Sequence, residues 1–179
     1  MEESYSQSPR VSSAVEEQLK GDRMKEGQKV KDFTLEDQDG HKVTLSSFAG
    51  KPVVLFFYPR ADTPGCTIEA CGFRDQLEQL QQAGAVVLGI SRDTVKAQKK
   101  FAEKYGLNYP LLADVDEKIS NYFGVLKEKN MYGKKVMGIE RTTFLIDQDQ
   151  TLRKIFAKVK PEGHAEEVLA TLDAEGSAY

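Results

Sequence analysis

The stretch Val53-Val54-Leu55-Phe56-Phe57-Tyr58-Pro59-Arg60-Ala61-Asp62-Thr63-Pro64-Gly65-Cys66, followed five residues later by Cys71, decides how this chain is read. Its first part, Val53 to Tyr58, is a strand-length run with no polar alternation, as expected of a strand buried on both faces. Pro59 rigidifies the exit from that strand, and Pro64 biases Thr63 away from helical geometry, so the segment between them is a shaped loop. From Thr67 to Ala83 the apolar residues Phe73, Leu77 and Leu80 recur at helical spacing, and Gly84 supplies a stop. Cys66 therefore falls at a strand-to-helix turn, in the first turn of a helix. A thiol there faces unpaired backbone N–H groups and the positive end of the helix dipole. Both favour the thiolate, which is the nucleophile. The competing reading is a buried structural thiol. Its place directly after Thr63-Pro64-Gly65 is not a core position.

Cys66 and Cys71 are the only cysteines in 179 residues. If both lie on one helix, five positions separate them by about 7.5 Å of rise and ~140° of rotation, or roughly 9 Å between Cα atoms. Disulfides need about 4.4–6.8 Å. Either the two sulfurs never bond, or the helix opens locally to let them. Cys71 is thus a second redox thiol or a small core residue, and the spacing alone leaves both open.

Outward from this stretch, the composition fits one domain: 40% of residues are hydrophobic and 30% are charged. The net charge of −3 gives no basic footprint for nucleic acid. No apolar run approaches the ~18 residues of a membrane span. Met1 to Met24 lacks the apolar centre of a signal peptide. Two cysteines are too few for a secreted disulfide scaffold, which favours a reducing compartment. That compartment is read as the cytoplasm, the alternative being an organelle with the N-terminal segment as a processed remnant. Residues 1–26 read as a polar extension, in which Ser13 with Glu16 forms a capping box for a short helix ending at Gly21. Residues 27–179 read as the globular domain.

Within the domain, Phe33–Leu35 and Val43–Leu45 flank Asp39-Gly40, a hairpin signal. Val86–Ile90 is a second uninterrupted apolar strand. Ala97, Phe101, Ala102 and Tyr105 mark a helix stopped by Gly106, and a short helix over Glu117–Phe123 ends at Gly124. Thr142–Ile146 and Leu152–Val159 bracket a turn at Asp147–Gln150, and Ala165–Leu172 closes the chain as a helix. The order predicts an α/β fold: a central mixed β-sheet with helices on both faces.

Other residues gather around the cysteine by this reading. The Thr63 hydroxyl is placed to cap the helix and to hold a polar substrate near the sulfur. Arg141 opens the strand Thr142–Ile146; if that strand lies beside Val53–Tyr58, its guanidinium reaches the active loop and favours a thiolate. Otherwise it is a solvated surface charge. Glu69 either orients that arginine or complements the helix N-terminus. His41 and His164 fall beside turns or helix starts and read as surface residues. Neither is placed as a base for Cys66, and the two cysteines with these distant histidines give no zinc spacing. No metal site is expected.

Pro59-x-x-x-Thr63-x-x-Cys66 resembles the active-site motif of the peroxiredoxins. The stretch from about Gly27 to Leu172 resembles their Q-type subfamily, also called bacterioferritin comigratory proteins. The signatures are Asp37-Gln38-Asp39-Gly40, Phe57-Tyr58-Pro59, Thr63-Pro64-Gly65-Cys66-Thr67, Glu69-Ala70-Cys71, Gly89-Ile90-Ser91, and Arg141 before Thr142-Thr143-Phe144-Leu145-Ile146-Asp147. The resemblance implies a thioredoxin-like fold and an antioxidant peroxidase that reduces hydrogen peroxide and organic hydroperoxides in cell redox homeostasis. It implies that Cys66 is peroxidatic and Cys71 resolving, through a Cys66–Cys71 disulfide. Thr63 and Arg141 then bind peroxide and thiolate, with Pro59, Gly65 and Glu69 in support. It further implies no cofactor, recycling by thioredoxin or a glutaredoxin, and a monomer that engages neither nucleic acid nor membrane. A thioredoxin-type oxidoreductase is disfavoured, because that chemistry places two residues between its cysteines and four intervene here. A redox sensor would use the same residues without turnover.

Overall fold

The computed structural model describes residues 24–176. The proposed capping box at Ser13 and Glu16 lies outside them. In chain order the elements are β1 (Thr34–Glu36), β2 (Lys42–Thr44), β3 (Val53–Phe57), α1 (Pro64–Gln82), β4 (Val86–Ser91), α2 (Val95–Tyr105), β5 (Leu111–Ala113), α3 (Lys118–Tyr122), β6 (Leu126–Met131), β7 (Lys134–Ile139), β8 (Thr142–Ile146), β9 (Leu152–Phe156) and α4 (His164–Gly176). Seven strands form one sheet in the order β2-β1-β5-β4-β3-β8-β9, and β6 and β7 form a separate hairpin. The central strands β3, β4 and β5 are parallel, and β1, β8 and β9 add antiparallel partners. The sheet is mixed, as the order of elements predicts.

The unbroken apolar runs of β3 and β4 have the expected cause. Val54, Phe56 and Tyr58 point into one core with Phe73, Leu77 and Leu80 of α1, Phe101 of α2 and Val168 and Leu172 of α4. Val53, Leu55 and Phe57 point into the other with Phe123, Val125, Ile139, Phe144 and Leu152. Side chains alternate along a strand, so a strand covered on both faces cannot afford polar positions. The two faces are covered unequally. Three helices pack on the first. The second is closed by Ile119 and Tyr122 of the short α3, the base of the β6–β7 hairpin at Leu126 and Ile139, and the N-terminal residues Met24, Val30 and Phe33.

The start of α1 is earlier than the apolar periodicity alone indicates. Pro64 occupies the first helical position, where its missing N–H costs nothing. Its other end is a Schellman motif. Gly84, at φ +87°, donates from its N–H to Gln81, and Ala85 donates to Leu80. Three strands are absent from the sequence reading: β5, which is three residues long, and the hairpin pair β6 and β7.

Candidate active site

The register of β3 with β8 brings the chemistry together. Phe57 pairs with Thr142 in antiparallel fashion, so the C-terminal end of β3 and the residue before β8 lie at the same edge of the sheet. That residue is Arg141. The loop leaving β3 carries Pro59 and Thr63 and turns directly into α1. Cys66 is the third residue of that helix, with 1% of its surface exposed, so the expectation that it stands outside the core is corrected: the inner side of the first turn packs on the sheet, and the sulfur joins the core of Phe56, Tyr58 and Phe73. Arg141 Nη1 lies 3.5 Å from Cys66 Sγ and 2.8 Å from Glu69 Oε1. One nitrogen therefore donates to both the sulfur and the carboxylate. The structure thus brings Cys66, Glu69 and Arg141 together.

Gly65 is what allows the approach. A Cβ built on it would lie 2.9 Å from Arg141 Nη2 and 3.4 Å from Pro161. A larger residue there requires the guanidinium to shift. The main chain around Arg141 is tied down by Val159, whose N–H donates to the Arg141 carbonyl at 3.0 Å.

Thr63 differs from expectation in one respect. It is the N-cap residue of α1, but its hydroxyl makes no bond to the helix N–H groups. It donates instead to the Arg60 carbonyl at 2.8 Å, bracing the loop on itself. The capping role is therefore corrected. The physical reason is the nearby carbonyl, a better-placed partner for a hydroxyl than N–H groups one turn on. The first-turn N–H groups, which have no intrahelical partner, are consequently left uncapped by side chains beside the sulfur.

The loop is held from below by residues that sequence reasoning missed. Asp93 accepts from the Ala61 N–H at 2.8 Å and from Ser91 Oγ at 2.6 Å. Gln98 donates to Ser91 Oγ and to the Leu112 carbonyl, and accepts from the Tyr58 hydroxyl. Asp62, at φ +61°, takes bonds from Tyr105 and Lys104. A polar residue at a helical core position, as Gln98 is on α2, is the signal that could have found this network.

His164 is a second correction. It is 2% exposed, not a surface residue. Its Nε2 lies 2.7 Å from Thr143 Oγ1 and its Nδ1 2.9 Å from Glu167 Oε1, with Phe73 and Phe156 edge-on to the ring. Burial pushes its pKa below the ordinary histidine value against the pull of Glu167. A neutral ring donating from Nδ1 to the carboxylate and accepting from the Thr143 hydroxyl satisfies both contacts. His164 ties α4 to β8. His41 is exposed, as expected. It gathers with Asp37 and Asp39. Their carboxylates serve the turn there: Asp37 accepts the Asp39 and His41 N–H groups, and Asp39 pairs with Lys99. Cys71 is half-buried on the same helix as Cys66, and both thiols are free.

Glu69 is the group whose ionisation the fold perturbs most usefully. Its carboxyl is 1% exposed, and Oε2 has no hydrogen-bond partner. Burial raises its pKa from 4.5 to about 7, and Arg141 opposes the rise. The folded chain therefore holds a proton that the unfolded chain has released between those values. The stability this contributes is full below pH 4.5 and is lost as pH rises through about 7, a change of about 3 kcal/mol. Glu69→Gln is expected to flatten that fall. Denaturant unfolding of both proteins at pH 5 and pH 8 measures it, and parallel losses in the two would remove Glu69 as the cause.

The AhpC/TSA family matches residues 26–155. A putative peroxiredoxin bcp of Coxiella burnetii is 51% identical over 146 residues, 82% of this chain and 97% of that protein. Peroxiredoxin Bcp of Escherichia coli K12 is 45% identical over 146 residues, 82% of this chain and 94% of its own. Among solved structures, a Xanthomonas campestris bacterioferritin comigratory protein is 44% identical with a TM-score of 0.77, covering 80% of this chain and 92% of that one. A mutant of Xylella fastidiosa PrxQ is 40% identical with a TM-score of 0.83, covering 87% and 99%. Matched over most of its length by the family and by relatives at this level of identity, the chain belongs to the AhpC/TSA family and, within it, to the Bcp or Q-type peroxiredoxins, which are thiol-dependent peroxidases.

Proposed function

We propose that Cys66 reduces hydrogen peroxide and organic hydroperoxides and that Cys71 resolves the product. The observation that carries this reading is the single nitrogen of Arg141 shared between Cys66 Sγ and Glu69 at the start of α1. In the first step the Cys66 thiolate attacks the terminal peroxide oxygen. The O–O bond breaks, sulfur loses two electrons, and the leaving oxide takes a proton to depart as water or an alcohol. Arg141 and the uncapped N–H groups of the first turn are aimed where negative charge develops, and such preorganised donors lower the barrier. Thr63 shapes the loop that receives the peroxide. Cys66 is then a sulfenic acid. In the second step the Cys71 thiolate attacks that sulfur, hydroxide leaves and is protonated to water, and a Cys66–Cys71 disulfide forms. A dithiol protein of the thioredoxin or glutaredoxin kind reduces it by exchange. The Xanthomonas relative has alkyl peroxide reduction activity, which supports the organic substrate class. The domain is taken as residues 27–179, acting as a monomer in a reducing compartment, the cytoplasm. Among the described residues no helix is long and apolar enough to cross a membrane.

One equivalent of peroxide followed by mass spectrometry tests both thiols. The expected product has lost two hydrogen atoms and carries a Cys66–Cys71 crosslink. Cys71→Ser is expected to keep the first oxidation, seen by sulfenate trapping, while turnover with thioredoxin stops. Unchanged turnover would take the resolving role from Cys71.

A further inference from the structure

Helix α1 must open for the disulfide to form, and its packing shows where the opening ends. Phe73 is fully buried and stacks on Phe56 with centroids 4.5 Å apart, and Leu80 is fully buried behind it. These side chains anchor the helix beyond Cys71. Before Cys71, Cys66, Glu69 and Ala70 are buried but carry no large apolar side chain, while Pro64 and Ile68 are exposed and Gly65 and Thr67 half-buried, so apolar contact there is thinner. At the border stands a bond from outside the helix. Tyr109 donates its hydroxyl to the Ala70 carbonyl at 2.7 Å, one residue before Cys71. A carbonyl inside a helix already accepts from the N–H four residues on. The phenol is therefore an additional tether rather than a requirement of the helix.

Tyr109 is itself fixed. Gln38 Nε2 donates to the Tyr109 carbonyl at 3.0 Å, and Gln38 Oε1 accepts from the Leu111 N–H at 2.8 Å. The side chain thus spans Pro110, which has no N–H of its own, and holds the segment on both sides. Gln38 belongs to the turn sequence Asp37-Gln38-Asp39-Gly40, to which the peroxidase chemistry gives no task. The Tyr109 ring also packs edge-on to Phe56, at 5.8 Å. Burial, above all, holds the phenol's pKa well above its ordinary value, so it remains a donor.

We propose that the Tyr109 hydroxyl, held in place by Gln38, is a latch on the Ala70–Cys71 segment that sets how often α1 opens to let Cys71 reach Cys66. The inference rests on the resolving role of Cys71. Unwinding that brings the two Cα atoms from about 9 Å to within disulfide range by releasing the Ala70–Cys71 segment turns the Ala70 carbonyl away from the phenol. A firm latch keeps Cys66 in its attacking geometry but lengthens the life of the sulfenic acid, which a second peroxide can convert to sulfinic acid. Tyr109 and Gln38 are positioning residues, since neither touches the reacting atoms.

Tyr109→Phe tests the latch, because it removes one hydroxyl and keeps the ring. Amide hydrogen exchange on the reduced protein reads the opening directly. Residues 66–71 are expected to exchange about three- to tenfold faster, the value of one hydrogen bond, while Leu77 to Gln82 stay unchanged. Disulfide formation after one equivalent of peroxide is expected to accelerate by the same factor, and sulfinic acid at high peroxide to fall. Gln38→Leu is expected to act in the same direction more weakly. Wild-type exchange and disulfide rates in Tyr109→Phe would overturn the proposal. So would an equal rise along the whole of α1, which marks a merely structural role. If wild type forms no Cys66–Cys71 disulfide but Tyr109→Phe still frees residues 66–71, the latch stands and the resolving role falls.

Discussion

Cys66→Ser is expected to abolish peroxide reduction, with a loss of several orders of magnitude in the second-order rate. Sulfur is the atom that is oxidised, and a serine hydroxyl at the same place neither ionises at neutral pH nor attacks a peroxide. Removing a nucleophile from an otherwise intact site costs up to about 10⁶-fold in a well-studied hydrolase. The substitution is nearly isosteric, and the Arg141–Glu69 pair beside it survives, since their 2.8 Å contact does not involve the sulfur. Folding should therefore be little altered, and a consumption assay with purified protein reads chemistry alone. Turnover retained at even a tenth of wild type would show that another group carries the reaction.

The architecture was legible in the sequence where a residue type answers to one physical demand. Val53 to Tyr58 has no polar position because both faces of β3 are covered. Gly84 and Gly106 end helices at positive φ, as their place after apolar periodicity indicates. Cys66 was legible because a strand-to-helix turn is a local inference, whereas Arg141, 75 residues further on, and the role of Glu69 beside it were expected through the family resemblance. The hairpin of β6 and β7 escaped for equally physical reasons. Its strands are rich in lysine, and Lys129 lays its aliphatic stem against Gly138 in place of an apolar side chain. Its turn is Tyr132-Gly133, both at positive φ, where Asn-Gly would have announced it. His164 escaped because nothing in its local sequence records that Phe73 and Phe156 close over it from distant elements. Tyr109 and Gln38 lie 71 residues apart in sequence and meet only once β1 pairs with β5. Side-chain pairings across such separations depend on register, which one sequence does not print.

Arg141 is the residue whose loss is expected to separate charge from geometry. Arg141→Ala removes the donor at 3.5 Å from Cys66 Sγ and leaves Glu69 buried without its partner. The first oxidation step is expected to slow by about 10²–10³, the usual consequence of deleting a preorganised donor to developing charge. Stability responds differently with pH. Stranding a buried carboxylate costs about 3–5 kcal/mol when the charge persists. Glu69 can instead hold its proton, since burial already lifts its pKa to about 7 and Arg141 is what opposes that rise. The alanine variant should therefore be nearly as stable as wild type at pH 5 and markedly weaker at pH 8. Arg141→Lys sharpens the test. An ammonium restores a positive charge near Glu69, and with it most of the stability at pH 8, but it lacks the rigid fork that sets one nitrogen between carboxylate and sulfur. Its peroxide rate should stay low while its unfolding midpoint recovers. Rates for wild type and the lysine variant that coincide would show that charge alone suffices, and the shared nitrogen would then have no part in the chemistry.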